Sequence, residues 1–166
     1  ELRRLASLDA LTGIYNRREL LSELARTQRI IARESRNHGL LILDLDHFKE
    51  VNDRFGHLQG DEILNRFARL LEGTLRPLDR LFRFGGEEFV ILTQVDDAKT
   101  LCAIAEKLRA TAEKWLDDGH GSPVTTSIGG TLLRPDESIE QWIARADDAL
   151  YRAKHAGRNR VVIEAG

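Results

Sequence analysis

The 166-residue sequence is poor in several features, and each shortage excludes a class of protein. Its single cysteine, Cys102, excludes a disulfide framework and a cysteine-based zinc site, and it favours a reducing compartment. No apolar run is long enough to span a membrane, and no signal-peptide pattern opens the chain. A net charge of −2 argues against binding to a nucleic-acid polymer, which requires a basic surface. Because it starts with Glu1 and lacks methionine, the chain is expected to be a piece of a longer protein.

The apolar pattern that is present predicts an α/β (α+β) fold. At 42% hydrophobic residues the chain is large enough for one domain with its own core. Strands are expected at residues 39–46, 81–84, 89–92, 124–133 and 160–163, and helices at residues 17–36, 48–55, 62–75, 96–116 and 138–156. Residues 1–8 resemble the end of a helix arriving from upstream, and 56–61 are expected to form a glycine-bracketed loop. The order predicts a mixed central sheet of about five strands flanked by helices.

The stretch from Arg83 to Leu92 reads as a β-hairpin with an unusual tip. Two apolar runs flank Gly85 and Gly86, and Glu87 and Glu88 follow directly. Glycines permit a tight turn and let a ligand approach the backbone closely, so this tip could receive an anion or a metal–nucleotide. A solvated hairpin with acidic decoration is the alternative that this stretch alone leaves open.

Acidic and basic side chains are expected to meet beside this hairpin. Asp44 ends the buried strand, and Asp46 is expected to point the same way because side chains alternate along a strand. Together with Glu87 and Glu88, Asp44 supplies the hard oxygen ligands that Mg²⁺ prefers. Lys49, Lys154 and Arg158 are cations that could reach nucleotide phosphates, although the last two could equally serve the C-terminal end of their helix.

A series of motifs, in order and covering nearly the whole chain, resembles the GGDEF domain of bacterial diguanylate cyclases. They are Asp9-Ala10-Leu11-Thr12-Gly13, Asn16-Arg17-Arg18, Asp44-Leu45-Asp46-His47-Phe48-Lys49, Asn52-Asp53, Phe55-Gly56-His57-Leu58-Gln59-Gly60-Asp61, Arg83-Phe84-Gly85-Gly86-Glu87-Glu88-Phe89, Ala146-Asp147, Ala149-Leu150-Tyr151, Ala153-Lys154 and Gly157-Arg158-Asn159. The sequence departs from the usual pattern at Ala10, where proline is common, and at Glu87, which replaces the aspartate of the family name.

The resemblance implies a fold similar to the palm domain of polymerases and class III nucleotidyl cyclases. It also implies condensation of two GTP molecules into cyclic di-GMP, with release of two pyrophosphates, by two domains that face each other. Two Mg²⁺ or Mn²⁺ ions would be held by Asp44, the Leu45 carbonyl, Glu87 and Glu88. Glu87 would help to deprotonate the 3′-hydroxyl, so that Glu87, Asp44 and Lys49 form the catalytic set.

The resemblance also implies which residues hold GTP. The backbone of Phe48 and the cations Lys49, Lys154 and Arg158 would hold phosphates, while Asn52 and Asp61 would read guanine. The remaining GTP-binding residues would be His57, Gly85 and Gly86.

A second nucleotide site is implied at Arg76 and Asp79, which match the RxxD site where the product c-di-GMP inhibits family members. Lys107 stands where the family often has an arginine, and a lysine cannot make the same bidentate contact. The alternative for Arg76 and Asp79 is a salt bridge at a helix end before Pro77.

Two other functional readings remain open at the level of sequence. One is a catalytically inactive c-di-GMP receptor, and the other is a GTP sensor that activates a neighbouring phosphodiesterase domain. The intact hairpin acids and glycines favour the active enzyme. The domain is expected in the cytoplasm, or on the cytoplasmic side of a membrane if the full-length protein has an upstream membrane sensor, and without membrane contact of its own. Leu21 and Tyr151 are expected to lie on the inward faces of their helices, and Trp115 and Trp142 are expected in the core or partly in it.

Overall fold

The computed structural model describes residues 6–34 and 36–164, and its element order is the one that the sequence predicts. The expected end of an upstream helix at residues 1–8 falls largely on residues 1–5, outside the described residues. The helices are α1 (Arg17–Arg33), α2 (Phe48–Phe55), α3 (His57–Thr74), α4 (Ala98–Trp115) and α5 (Ile139–His155). The strands are β1 (His38–Leu45), β2 (Arg80–Gly85), β3 (Glu88–Gln94), β4 (Thr126–Leu132) and β5 (Val161–Glu164).

The five strands form one mixed sheet in the order β2-β3-β1-β4-β5, with β1 at its centre. β1 runs antiparallel to both β3 and β4, and β5 runs parallel to β4. Side chains of β1 alternate between two cores: Leu41 and Leu43 pack with α3 and α4, whereas Leu40 and Ile42 pack with α1 and α5. The unbroken apolar run of β1 therefore reflects burial on both faces, as predicted.

The helix α1 ends earlier than the sequence suggested. Asn16 caps its beginning by accepting a hydrogen bond from the Glu19 backbone N–H at 3.0 Å, but the helix stops at Arg33. His38 and Gly39 follow the helix and pair with β3, so the strand begins one residue before the predicted position 39. A Cβ on Gly39 would lie 2.7 Å from Leu101, so this glycine serves sheet packing and not a helix cap.

The helix α3 begins at His57, so the expected loop at residues 56–61 is wrong beyond its first residue. Gly56, with a φ of 89°, makes the break between α2 and α3. Gly60 lies inside α3, where a Cβ would come within 1.8 Å of the Asn52 side-chain oxygen. The second glycine therefore allows two helices to approach closely, which a reading of local turn signals does not reveal.

The helix α5 lies directly on β4. A Cβ on Gly129 would lie 2.1 Å from the Leu150 backbone nitrogen, so only glycine permits this approach. The close packing brings the C-terminal end of α5 beside the end of β1, where the candidate site lies.

Three side chains that were expected to be buried are not. Leu21, Trp115 and Tyr151 are exposed by 42%, 62% and 59%. The exposed ring of Tyr151 stacks on His155, with 3.8 Å between the ring centroids. Trp142 is fully buried, as predicted.

Candidate active site

The central strand and the hairpin place their acids together. In the β1–β3 pairing, Asp44 lies opposite Glu88, and Glu87 occupies the hairpin turn. A pocket of about 160 Å³ opens at this edge of the sheet. Its lining includes seven residues of the predicted site, namely Asp44, Leu45, Phe48, Lys49, Glu87, Lys154 and Arg158.

Asp44 is buried in this pocket, with 4% of its surface exposed. One carboxylate oxygen contacts the Lys154 ammonium, while Oδ1 has no hydrogen-bond partner among the described residues. Burial raises the pKa of Asp44 to about 6; Lys154 opposes this shift, and Glu87 and Asp46 add to it. A buried carboxylate with one unpaired oxygen is a binding position for a further cation.

The pKa of Glu88 is also raised. Burial raises its pKa, Asp44 and Asp147 raise it further, and Lys154 partly offsets them. Within the described part of the chain, no three acidic, histidine or cysteine side chains form a ready-made metal cage. The Lys154 ammonium instead contacts Asp44, so a metal ion would have to share or replace this ion pair.

Asp46 does not share the role of Asp44, although both lie at the end of β1. It accepts hydrogen bonds from Ser127 Oγ at 2.6 Å, Thr125 Oγ1 at 2.7 Å and the Asn159 backbone N–H at 3.0 Å. These bonds tie β1 to β4 and to the turn after α5 that carries Arg158. Asp46 is therefore a positioning residue, and only the hydroxyl side chains of 125–127 hinted at this in the sequence.

The residues predicted to read guanine lie where α2 meets α3. Asn52 Oδ1 is buried without a hydrogen-bond partner among the described residues, and it lies against Gly60. Asp61 follows Gly60 and is exposed, as is His57 on the first turn of α3. Two potential hydrogen-bond acceptors, Asn52 and Asp61, thus lie beside the close contact between α2 and α3.

The hairpin tip is open to solvent, and Arg83 holds it in place. A Cβ on Gly85 or Gly86 would meet no atom within 4 Å, which leaves room for a ligand. Arg83 donates to the Gly86 carbonyl at 2.7 Å and to Asp9 at 3.1 Å, so the tip is tied to the opening segment of the chain. No local sequence pattern indicated this function of Arg83 and Asp9, which are 74 positions apart.

At the predicted second site, Arg76 and Asp79 form an ion pair and bond to neighbouring residues of the same chain. Arg76 Nη2 lies 3.0 Å from Asp79, 2.6 Å from Thr93 Oγ1 and 2.9 Å from the Gln94 carbonyl. The Asp79 side chain is buried, and a groove of about 970 Å³ runs beside the pair. Lys107 is exposed on α4. These contacts match the salt bridge that was considered as the alternative, and product binding here stays a prediction.

Fold and site together define a palm-like α/β domain with a pocket of acidic and basic side chains at the end of its central strand. A family profile described as "Diguanylate cyclase, GGDEF domain" matches residues 6–160, and the chain belongs to this family.

Curated relatives carry the same domain in longer proteins. The chain is 41% identical to the diguanylate cyclase DgcM of Escherichia coli K12 over 164 residues, and 43% identical to DgcP of Pseudomonas aeruginosa over 166. These matches cover 98% and 97% of the chain but only 39% and 24% of the two relatives.

Solved structures show the same fold. The coiled coil and GGDEF domain of DgcB from Caulobacter crescentus, solved with c-di-GMP, has a TM-score of 0.91 at 31% identity, covering 98% of this chain and 88% of that one. SiaD of Pseudomonas aeruginosa, solved with its activator SiaC, also has a TM-score of 0.91 at 37% identity, covering 98% and 64%. No helix in the described ranges is long and apolar enough to cross a membrane.

Proposed function

We propose that this chain is a diguanylate cyclase domain, which condenses two GTP molecules into c-di-GMP and releases two pyrophosphates. The observation that carries the proposal is the Asp44 carboxylate, which is buried, has an unpaired oxygen and lies among cations and acids in one pocket. An inactive receptor is disfavoured because the hairpin retains both glycines and both acids.

The donor set fits a hard divalent cation. We assign the binding of Mg²⁺ or Mn²⁺, two ions per site, to Asp44, the Leu45 carbonyl, Glu87 and Glu88. The unpaired Asp44 Oδ1 and the raised pKa values of Asp44 and Glu88 support this assignment, because burial and neighbouring acids disfavour the charged form of both carboxylates and a bound cation would offset this. When bound, such ions reduce the charge cost of the phosphoryl transition state and favour ionisation of an attacking hydroxyl.

The cations of the pocket serve the phosphates in this proposal. Lys49, Lys154 and Arg158 hold the β- and γ-phosphates together with the Phe48 backbone, and Lys154 leaves Asp44 to do so. The 3′-oxygen of one GTP bonds to the α-phosphorus of the other, the bond from that phosphorus to the oxygen of the β-phosphate breaks, and pyrophosphate leaves. The same exchange at the other 3′-oxygen and α-phosphorus closes the ring and releases the second pyrophosphate. Glu87 accepts the proton of the 3′-hydroxyl.

Guanine recognition is assigned to Asn52 and Asp61. Guanine presents adjacent N1–H and N2–H₂ donors, which a carboxylate can accept together, whereas adenine presents an acceptor at N1. A polar group left unpaired on burial costs about 1–3 kcal/mol, which is enough to discriminate between the bases. The buried, unpaired Oδ1 of Asn52 supports this assignment. Asp61 is exposed here, so its contribution develops when the base covers it.

The reaction requires two copies of the domain, since one pocket holds one GTP. We therefore propose a homodimer in which each 3′-hydroxyl faces the partner's α-phosphate, working in the cytoplasm where GTP is available. Product inhibition through Arg76 and Asp79, with Lys107 as a weak third arm, is part of the same proposal. The c-di-GMP bound to the DgcB neighbour supports product binding within the family.

The direct test is incubation of the purified full-length protein with GTP and Mg²⁺ at increasing protein concentrations, followed by chromatography. We expect c-di-GMP, a rate per domain that rises with protein concentration, and loss of product when EDTA is added. Absence of product even after fusion to a strong dimeriser would refute the cyclase and leave a nucleotide-binding receptor.

A further inference from the structure

The segment 117–122, between α4 and β4, packs against the junction of α2 and α3. We call it the Asp118 loop. Gln59 of α3 donates its side-chain N–H to the Asp118 backbone carbonyl at 2.7 Å. The rings of Phe55 and His120 stack almost parallel, at 4.0 Å and 8°. Two different contacts therefore connect this loop to the two sides of the junction.

The Asp118 loop is itself held in a fixed shape. The Asp118 side chain, 6% exposed, accepts hydrogen bonds from the backbone N–H groups of His120 at 2.7 Å and Ser122 at 3.1 Å. Gly119 has a φ of 84°, and a Cβ there would lie 2.2 Å from Gln59 Nε2. The loop thus presents the Asp118 carbonyl to Gln59 from a rigid frame, at a position where only glycine allows the approach.

Further along α3, Arg66 also donates to the Asp117 carbonyl of the loop at 2.5 Å, but the first turn of the helix has no side-chain cap. Its N-cap residue, Gly56, has no side chain to bond the first free N–H groups of the helix, and its φ of 89° breaks the helix from α2. Gln59 lies in this uncapped first turn, immediately before Gly60 and Asp61. The orientation of the turn therefore depends on contacts made from outside, and Gln59 makes one of them.

We propose that Gln59 and His120 are positioning residues for guanine recognition. By holding the first turn of α3 against the Asp118 loop, they keep Asp61 and Asn52 in the relative positions that accept the two donors of guanine. Neither residue touches the nucleotide in this arrangement. The inference rests on the proposed function, since it takes Asn52 and Asp61 as the residues that read the base.

The test compares GTP with inosine triphosphate (ITP), which lacks the 2-amino group, in the full-length protein. Gln59→Ala is expected to raise KM for GTP about threefold to tenfold, the range for one lost hydrogen bond, with kcat unchanged. KM for ITP should rise less, because ITP offers one donor fewer to the displaced acceptors. The GTP/ITP preference therefore falls.

A matched control is available in α1. Gln28 donates its side-chain N–H to the Glu137 carbonyl at 3.2 Å, a bond of the same chemistry that lies far along the chain from the junction. Gln28→Ala should leave both KM values unchanged. His120→Ala should reduce the GTP/ITP preference, whereas His120→Phe should retain it because phenylalanine keeps the ring stack.

An unchanged GTP/ITP preference in Gln59→Ala would overturn this inference and leave Gln59 with a structural role only. If the protein formed no product, calorimetric titration of GTP and ITP with Mg²⁺ would supply the same ratio. A wild-type protein that does not prefer GTP over ITP would refute the base-reading assignment of Asn52 and Asp61, and this inference with it.

Discussion

Both the pocket at the end of β1 and the second site, formed by Arg76 and Asp79 and called the corner below, place a cation beside an aspartate. They differ in whether the polar groups already have hydrogen-bond partners. In the pocket, Asp44 Oδ1 has no partner among the described residues. In the corner, Arg76 donates to Asp79, Thr93 and the Gln94 carbonyl, so its charge is already well paired. The pocket therefore lacks a hydrogen-bond partner that a ligand can supply, whereas the polar groups of the corner already bond to one another.

This difference indicates how each region would bind a nucleotide. An unpaired buried polar group costs about 1–3 kcal/mol, so a fold that retains one gains when a ligand pairs it. A ligand at Arg76 must instead exchange existing hydrogen bonds for new ones, which gives little net gain. We therefore expect tight metal–nucleotide binding at the pocket and weaker, tunable binding at the corner.

The largest effect is expected from Glu88→Ala, which removes a proposed metal ligand from the pocket. Synthesis of c-di-GMP should fall by more than about a hundredfold, beyond the range for lost supporting groups around a metal site. Circular dichroism and thermal unfolding should remain close to wild type. Glu140→Ala, an exposed acid in the first turn of α5, is the control and should leave the rate unchanged. Full activity in Glu88→Ala would remove the metal assignment.

The next largest effect is expected from Gly129→Ala, which tests the packing of α5 on β4 that supports the pocket. The added methyl collides with the backbone of α5 at Leu150, and overpacking of this kind costs about 1–3 kcal/mol. Because α5 carries Lys154 and Arg158, activity should fall together with the free energy of unfolding, measured by urea denaturation. A variant of wild-type stability would contradict the close contact between β4 and α5.

Arg76→Ala tests the corner. Loss of the arginine should weaken inhibition by added c-di-GMP about tenfold and raise the final product yield, with the initial rate unchanged. The control is Arg80→Ala, since Arg80 borders the same groove but pairs with Glu23 at 3.8 Å. Inhibition that is identical in wild type and Arg76→Ala would exclude the corner as the inhibitory site.

The smallest effect is expected in how the free energy of unfolding of the metal-free protein depends on pH. The pKa of Asp44 is raised from 3.8 to about 6, so between these values the folded state binds more protons than the unfolded chain. Stability contributed by this proton is present below pH 4 and is lost as the pH rises through 6. Urea denaturation from pH 4 to 7 should show this loss in wild type and a smaller loss in Asp44→Asn, which keeps the contribution of the buried Glu88, whose pKa is also raised. Parallel pH profiles of the two proteins would show that the pKa of Asp44 is not raised.

Much of the fold and of the site was predictable from local patterns. The continuous apolar run of β1 revealed a strand buried on both faces, and the Gly85-Gly86 turn followed by two acids revealed the hairpin tip. These signals are local, because periodicity and turn chemistry act over a few residues. The pairing of Asp44 with Glu88 follows once the two strands are adjacent.

What the sequence could not reveal depends on contacts between distant segments. Gly60 looked like a loop residue, but it lies within α3, where Asn52 packs against it. Asp46 looked like a partner of Asp44, yet Ser127, Thr125 and Asn159 satisfy it. The support of α3 by the Asp118 loop joins residues separated by 59 positions, which no local pattern encodes.

The most direct test of the difference between the two regions is a crystal structure with Mn²⁺ and a non-hydrolysable GTP analogue, using anomalous scattering to locate the metal. We predict Mn²⁺ beside Asp44 Oδ1 and Glu88, with Lys154 moved from Asp44 to the phosphates and Arg76 still bonded to Asp79. Nucleotide bound without metal at Asp44, or Lys154 remaining on Asp44 in the complex, would contradict the account.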